Sequence, residues 1–110
     1  MPTKHLQIIE HPKDVVRVRP PDVHVSRRDE VTTLDFDNHL GEEVTVVLNP
    51  DVNPDPGKLN IAPGGSESSD IKPQQGGTFP YQIHIGRGTD GPKAKGLCDP
   101  IIIVRPPGWR

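Results

Sequence analysis

"YQIHIGRGTDGPKAKGLCDPIIIV" (Tyr81 to Val104) holds two apolar runs separated by a polar, glycine-rich excursion with a cysteine near its far end. In "QIHI" apolar residues alternate with polar ones, the period of a strand with one buried face. "IIIV" (Ile101 to Val104) is apolar on both faces, so it belongs inside a sheet rather than at an edge. The segment reads as strand, loop, strand.

The same period recurs upstream in "HLQII" (His5 to Ile9), "VVRVR" (Val15 to Arg19), "VHV" (Val23 to Val25), "TLDF" (Thr33 to Phe36) and "VTVVL" (Val44 to Leu48). Later come "DIK" (Asp70 to Lys72) and "FPYQIHI" (Phe79 to Ile85). Pro, Gly, Asn or Asp bounds each run, and none carries a helical repeat long enough to compete. About seven to eight short strands in one chain of this length predict an all-β domain, a sandwich or a barrel. Three stretches read as loops: "NPDVNPDPGK" (Asn49 to Lys58), "PGGSESS" (Pro63 to Ser69) and "GRGTDGPKAKG" (Gly86 to Gly96). Residues 1–13 form an N-terminal strand or arm and residues 105–110 a tail, whose Trp109 is expected to pack on the domain or on a neighbouring chain.

With 110 residues, 31% hydrophobic and 4% aromatic, the chain supports one thin core built mostly of Val, Ile and Leu. Its 14 prolines and 11 glycines lie between β-branched runs and act as turn punctuation. The net charge of −2, from 13 basic and 15 acidic residues, leaves no electrostatic footprint for nucleic acid. No segment approaches the roughly 20 apolar residues of a membrane span. Cys98, the single cysteine, permits no internal disulfide and leaves only an intermolecular bridge open. The start "MPTKHLQIIEHPK" has no signal-like apolar stretch, so the expected compartment is cytoplasmic as the chain stands, and periplasmic or secreted if a signal peptide was removed.

The order of these pieces resembles the cupredoxins, small Greek-key β-sandwiches that carry mononuclear copper. "VRVRPPDVHV" is similar to the family's opening, Phe36-Asp37-Asn38 to its aromatic-x-Asn strand end, and "IAPGGSESSDI" to its Pro-Gly turn and the strand after it. "GGTFPYQI" is similar to its aromatic strand. The resemblance implies a Greek-key β-sandwich and places copper ligands at four points. Glu42 or Glu43 stands where it implies the first His, Ile83 where it implies the Cys, and Gly86, Arg87 or Gly88 where it implies the second His. Cys98 falls at the place of the axial Met. A blue-copper centre needs two imidazoles and a thiolate in one plane, and this alignment supplies none of them.

Other constellations remain. Cys98, His84 and His39 offer an alternative copper or zinc ligand set, although period-two geometry turns His84 away from Ile83 and Ile85. Asp51, Asn53 and Asp55 have the oxygen spacing of a calcium loop, but the glycine is displaced to Gly57 and the twelfth position is Ala62. Arg87, Lys93 and Lys95 sit among glycines that suit an anion, without a phosphate-binding fingerprint. Ser26, Ser66, Ser68 and Ser69 occupy no nucleophile elbow. The sequence therefore predicts a non-catalytic, cupredoxin-like binding or assembly module without a blue-copper site and with no cofactor. Its expected partner is another protein or further copies of itself, not nucleic acid or membrane. The alternative is a metal-binding protein using His84, Cys98 and His39.

Overall fold

The computed structural model describes residues 3–10, 16–26, 28, 30–86 and 100–105. Among them are ten strands: β1 (Thr3–Glu10), β2 (Val16–Arg19), β3 (Asp22–Ser26), β4 (Thr32–Asn38), β5 (Val44–Val47), β6 (Lys58–Ile61), β7 (Ser66–Ile71), β8 (Gly77–Pro80), β9 (Gln82–Ile85) and β10 (Ile101–Arg105). One layer runs β2-β1-β4-β7, with β1 and β4 parallel and the other pairs antiparallel. The other layer runs β3-β10-β8 and β6-β5-β9.

Tyr81 is the only residue between β8 and β9, and its N–H donates to the Pro100 carbonyl at 3.0 Å. The run Phe79 to Ile85 is thus one path whose first part pairs with β10 and whose second part pairs with β5. Pro80, which has no N–H, sits where the partner changes. "IIIV" lies between β3 and β8, with Ile102 and Val104 buried and Ile101 and Ile103 half-buried on the opposite face.

Alternation fills the space between the layers. Leu6, Ile8, Leu34 and Phe36 from the first layer meet Val44, Val46, Ile61 and Ile102 from the second, all at 0% exposure. Each such side chain contributes roughly 1.5–3 kcal/mol by burial. Their polar neighbours along the strands point outward, as in the burial alternation of β4.

Two sequence expectations need correction. Residues 66–69, read as loop, belong to β7, because "SESSDI" pairs its backbone with β4 while presenting mostly hydroxyls and acids to solvent. β6 was not expected: only Leu59 and Ile61 alternate in it, too short a pattern to register. The stretch 49–58 is less open than its composition implies. A 3-10 turn over Pro50–Val52 buries Val52 completely. Asn49 caps it, its Oδ1 accepting from the Asp51 N–H at 2.9 Å, the local backbone bond that an Asn before proline makes in a turn.

Candidate functional site

Asn38 closes β4, and its buried amide gathers the surrounding chain. Nδ2 lies 2.8 Å from the Glu42 carbonyl, 3.1 Å from that of Ile61 and 3.2 Å from that of Ala62, and its two hydrogens are shared among the three. Oδ1 accepts from the Leu40 N–H at 2.9 Å. The Asn38 backbone bonds the turn as well, donating to the Gly65 carbonyl at 2.9 Å and accepting from the Gly64 N–H at 3.0 Å. Residues 39–43 and the "APGG" turn are thereby held together. Gly64 takes a φ of +73°, which only glycine adopts without strain.

A second tie brings in the start of the long loop. The Gly86 N–H donates to the Glu43 carbonyl at 2.6 Å. The Thr45 hydroxyl lies 2.9 Å from both the Gly86 carbonyl and Asn60 Oδ1, and donates to one of them at a time. Three segments thus converge at the end of the sandwich where the resemblance implies copper ligands.

What stands at those positions is as follows. Ile83 is 3% exposed, opposite Val46 and inside the apolar core. Glu42 is exposed and Glu43 half-buried. Arg87, Gly88, Cys98, Lys93, Lys95 and Trp109 lie outside the described residues. Of the alternative ligand set, His84 is half-buried on the face opposite Ile83, with Nε2 3.1 Å from Gln82 Oε1 and Thr45 as its cross-strand neighbour. His39 is exposed just past β4, its N–H on the Ile8 carbonyl at 2.9 Å. The two imidazoles therefore arise in different layers. Among the described residues no group of three or more His, Cys, Asp and Glu side chains is placed to hold a metal ion. No described helix is long and apolar enough to cross a membrane.

Two residues before Ile83, Tyr81 is 1% exposed, and its hydroxyl has no hydrogen-bond partner among the described residues. Burial raises its pKa above the ordinary phenol range, so the phenol is neutral and chemically quiet. Neither Asn38's amide nor this hydroxyl forms a sequence pattern of its own. The "FDN" strand end was the one signal pointing at Asn38.

Solved structures share this arrangement of strands. A copper-binding protein in its apo form matches with a TM-score of 0.58 and 17% identity, over 94% of this chain and 86% of that one. The fold is cupredoxin-like. Amicyanin in its reduced Cu(I) form matches at a TM-score of 0.54 and 17% identity, over 94% of this chain and 82% of the other. A blue copper oxidase from Nitrosomonas europaea matches at 0.65 and 15% identity, over 98% of this chain and 40% of that one. The cupredoxin-like chain thus spans about two fifths of the oxidase's length. No protein-family model and no curated protein matches it. At these identities the likeness is one of fold.

Proposed function

We propose that the chain is a non-catalytic binding or assembly module on a cupredoxin-like fold, working without a blue-copper site and through a protein partner or further copies of itself. The observation that carries this reading is Ile83. A buried isoleucine stands at the position that the resemblance gives to the thiolate, packed opposite Val46 with no sulfur or nitrogen donor of its own. Glu42 and Glu43, at the first imidazole's position, are hard oxygen donors ill-suited to a copper–thiolate plane.

The test is to add copper(II) to the protein, purified without a histidine tag, and to read metal content, visible absorption and solution mass on one preparation. The expected result is no intense blue charge-transfer band and no stoichiometric metal. A strong blue band would overturn the reading. Bound metal that is lost in Cys98→Ser would favour the ligand set His84, Cys98 and His39 instead.

A further inference from the structure

β3 joins the second layer after the chain turns through Pro20 and Pro21, and there it pairs with β10, the strand that also pairs with β8. Alternation along β10 sends Ile102 and Val104 into the core and Ile101, Ile103 and Arg105 to the outer face. Ile101 and Ile103 are only half-buried there, flanked by exposed Pro80 and Thr78 of β8 and by exposed Asp22 and His24 of β3. The middle of this sheet therefore carries an apolar stripe on the face turned away from the core. The outer face of the first layer differs, since β1, β4 and β7 present His5, Gln7, Asp35, Asp37, Ser66 and Ser68.

The stripe ends in opposite charges. Asp22 stands beside Ile101, and Arg105 stands beside Ser26, four residues further along two parallel strands and about 13 Å away. The Arg105 guanidinium reaches across to β3, where it lies 3.2 Å from Nδ1 of His24. Arginine only donates, so Nδ1 accepts, and the guanidinium keeps its charge over the strand that carries Asp22. Consider a second copy laid on this face by a twofold axis that lies in the interface, perpendicular to the strands. Its strands are reversed and its lateral order is kept. β10 then covers β10, Ile103 meets Ile103, and the Arg105 of each copy faces the Asp22 of the other. A twofold along the strands would instead set β3 on β8 and lose both charge pairs. The face is thus complementary to itself in one orientation, the condition for an isologous contact.

We propose that the outer face of β3, β10 and β8 binds a second copy of this chain, with Ile103 at the twofold axis and two Arg105–Asp22 pairs at the ends of the contact. Burial of the isoleucines supplies the attraction, and the charge pairs fix the orientation. The proposal rests on the binding-module reading and deepens it, naming the partner as the chain itself and the surface as that of the second layer.

The experiment follows the solution mass of the full chain by sedimentation from micromolar to millimolar concentration. The expected result is a dimer fraction that rises with concentration. Asp22→Arg and Arg105→Asp each bring like charges together twice per dimer and weaken self-association about tenfold or more, with the far-ultraviolet spectrum unchanged. An equimolar mixture of the two variants restores the dimer, because each supplies the charge that the other lacks. Ile103→Lys abolishes it, whereas Gln7→Lys, exposed on the first layer, leaves it intact. A chain that stays monomeric throughout, single reversals that dimerise as well as the parent, or a mixture that remains monomeric overturns the proposal. A monomer whose Ile101 and Ile103 methyl signals shift on deletion of residues 106–110 gives the face to the chain's own tail and overturns it too. A blue band in the copper test and a lasting monomer here are separate readouts, so each idea fails by its own measurement.

Discussion

The ring of Tyr81 meets that of Phe36 edge-on, with centroids 5.8 Å apart and planes at 75°. The residue that joins β8 to β9 is thus also the one that locks the second layer onto β4. Such a pair is worth about 0.5–1.5 kcal/mol beyond the area it buries.

Tyr81→Phe keeps that contact and removes a buried hydroxyl with no described partner. The expected outcome in urea denaturation is unchanged stability or a gain of about 1 kcal/mol, since no hydrogen bond is lost and one desolvated polar atom disappears. Tyr81→Ala loses roughly 3–5 kcal/mol as a cavity opens between the layers. A clear loss in the Phe variant would mean that the hydroxyl is bonded after all.

Tyr81 is the chain's one tyrosine, so its ionisation can be followed without interference. Burial raises its folded pKa, so the unfolded chain loses this proton first as pH increases, and the folded state then holds more protons than the unfolded one. Stability from this group is fully present below about pH 10, the unfolded value, and declines as pH rises from there toward the folded value. Tyrosinate absorbance should appear together with unfolding. A phenol titrating near pH 10 in a protein still folded by circular dichroism would contradict the buried placement.

Asn38→Ala strips the carbonyls of Glu42, Ile61 and Ala62 of their side-chain donor. A destabilisation of roughly 2–3 kcal/mol is expected. Hydrogen exchange should quicken at Leu40, whose N–H bonds Asn38 Oδ1, and at Gly64, which bonds its carbonyl. Exchange that quickens evenly across all strands would show instead that Asn38 matters only to global stability.

Gly64 tests the turn alone. A Cβ added there meets no atom within 4 Å, so the cost of Gly64→Ala comes from its φ of +73°. About 1 kcal/mol is expected, with a smaller loss for Gly64→Asn, which tolerates the left-handed region better. Gly41→Ala also meets open space, without a positive φ, and should be near neutral.

Much of the fold was legible in the sequence because a half-buried strand writes itself with period two. Leu6 with Ile8, Leu34 with Phe36, Val44 with Val46 and Ile102 with Val104 point inward as their spacing demands. The same rule turns Ile83 to the core and His84, the one candidate ligand on β9, to the opposite face. It failed at β7, where backbone pairing carries a strand of serines and acids, and at Val52, which tertiary packing buries inside a loop. Only the tertiary structure decided that His39 and His84 arise in different layers, that Asn38 ties two loops into one end, and that Asp22 and Arg105 end one apolar stripe with opposite charges. Periodicity records which way a side chain points from its own strand, whereas these relations depend on which strands become neighbours, and that is set by the crossing at Pro20 and the pairing of β1 with β4.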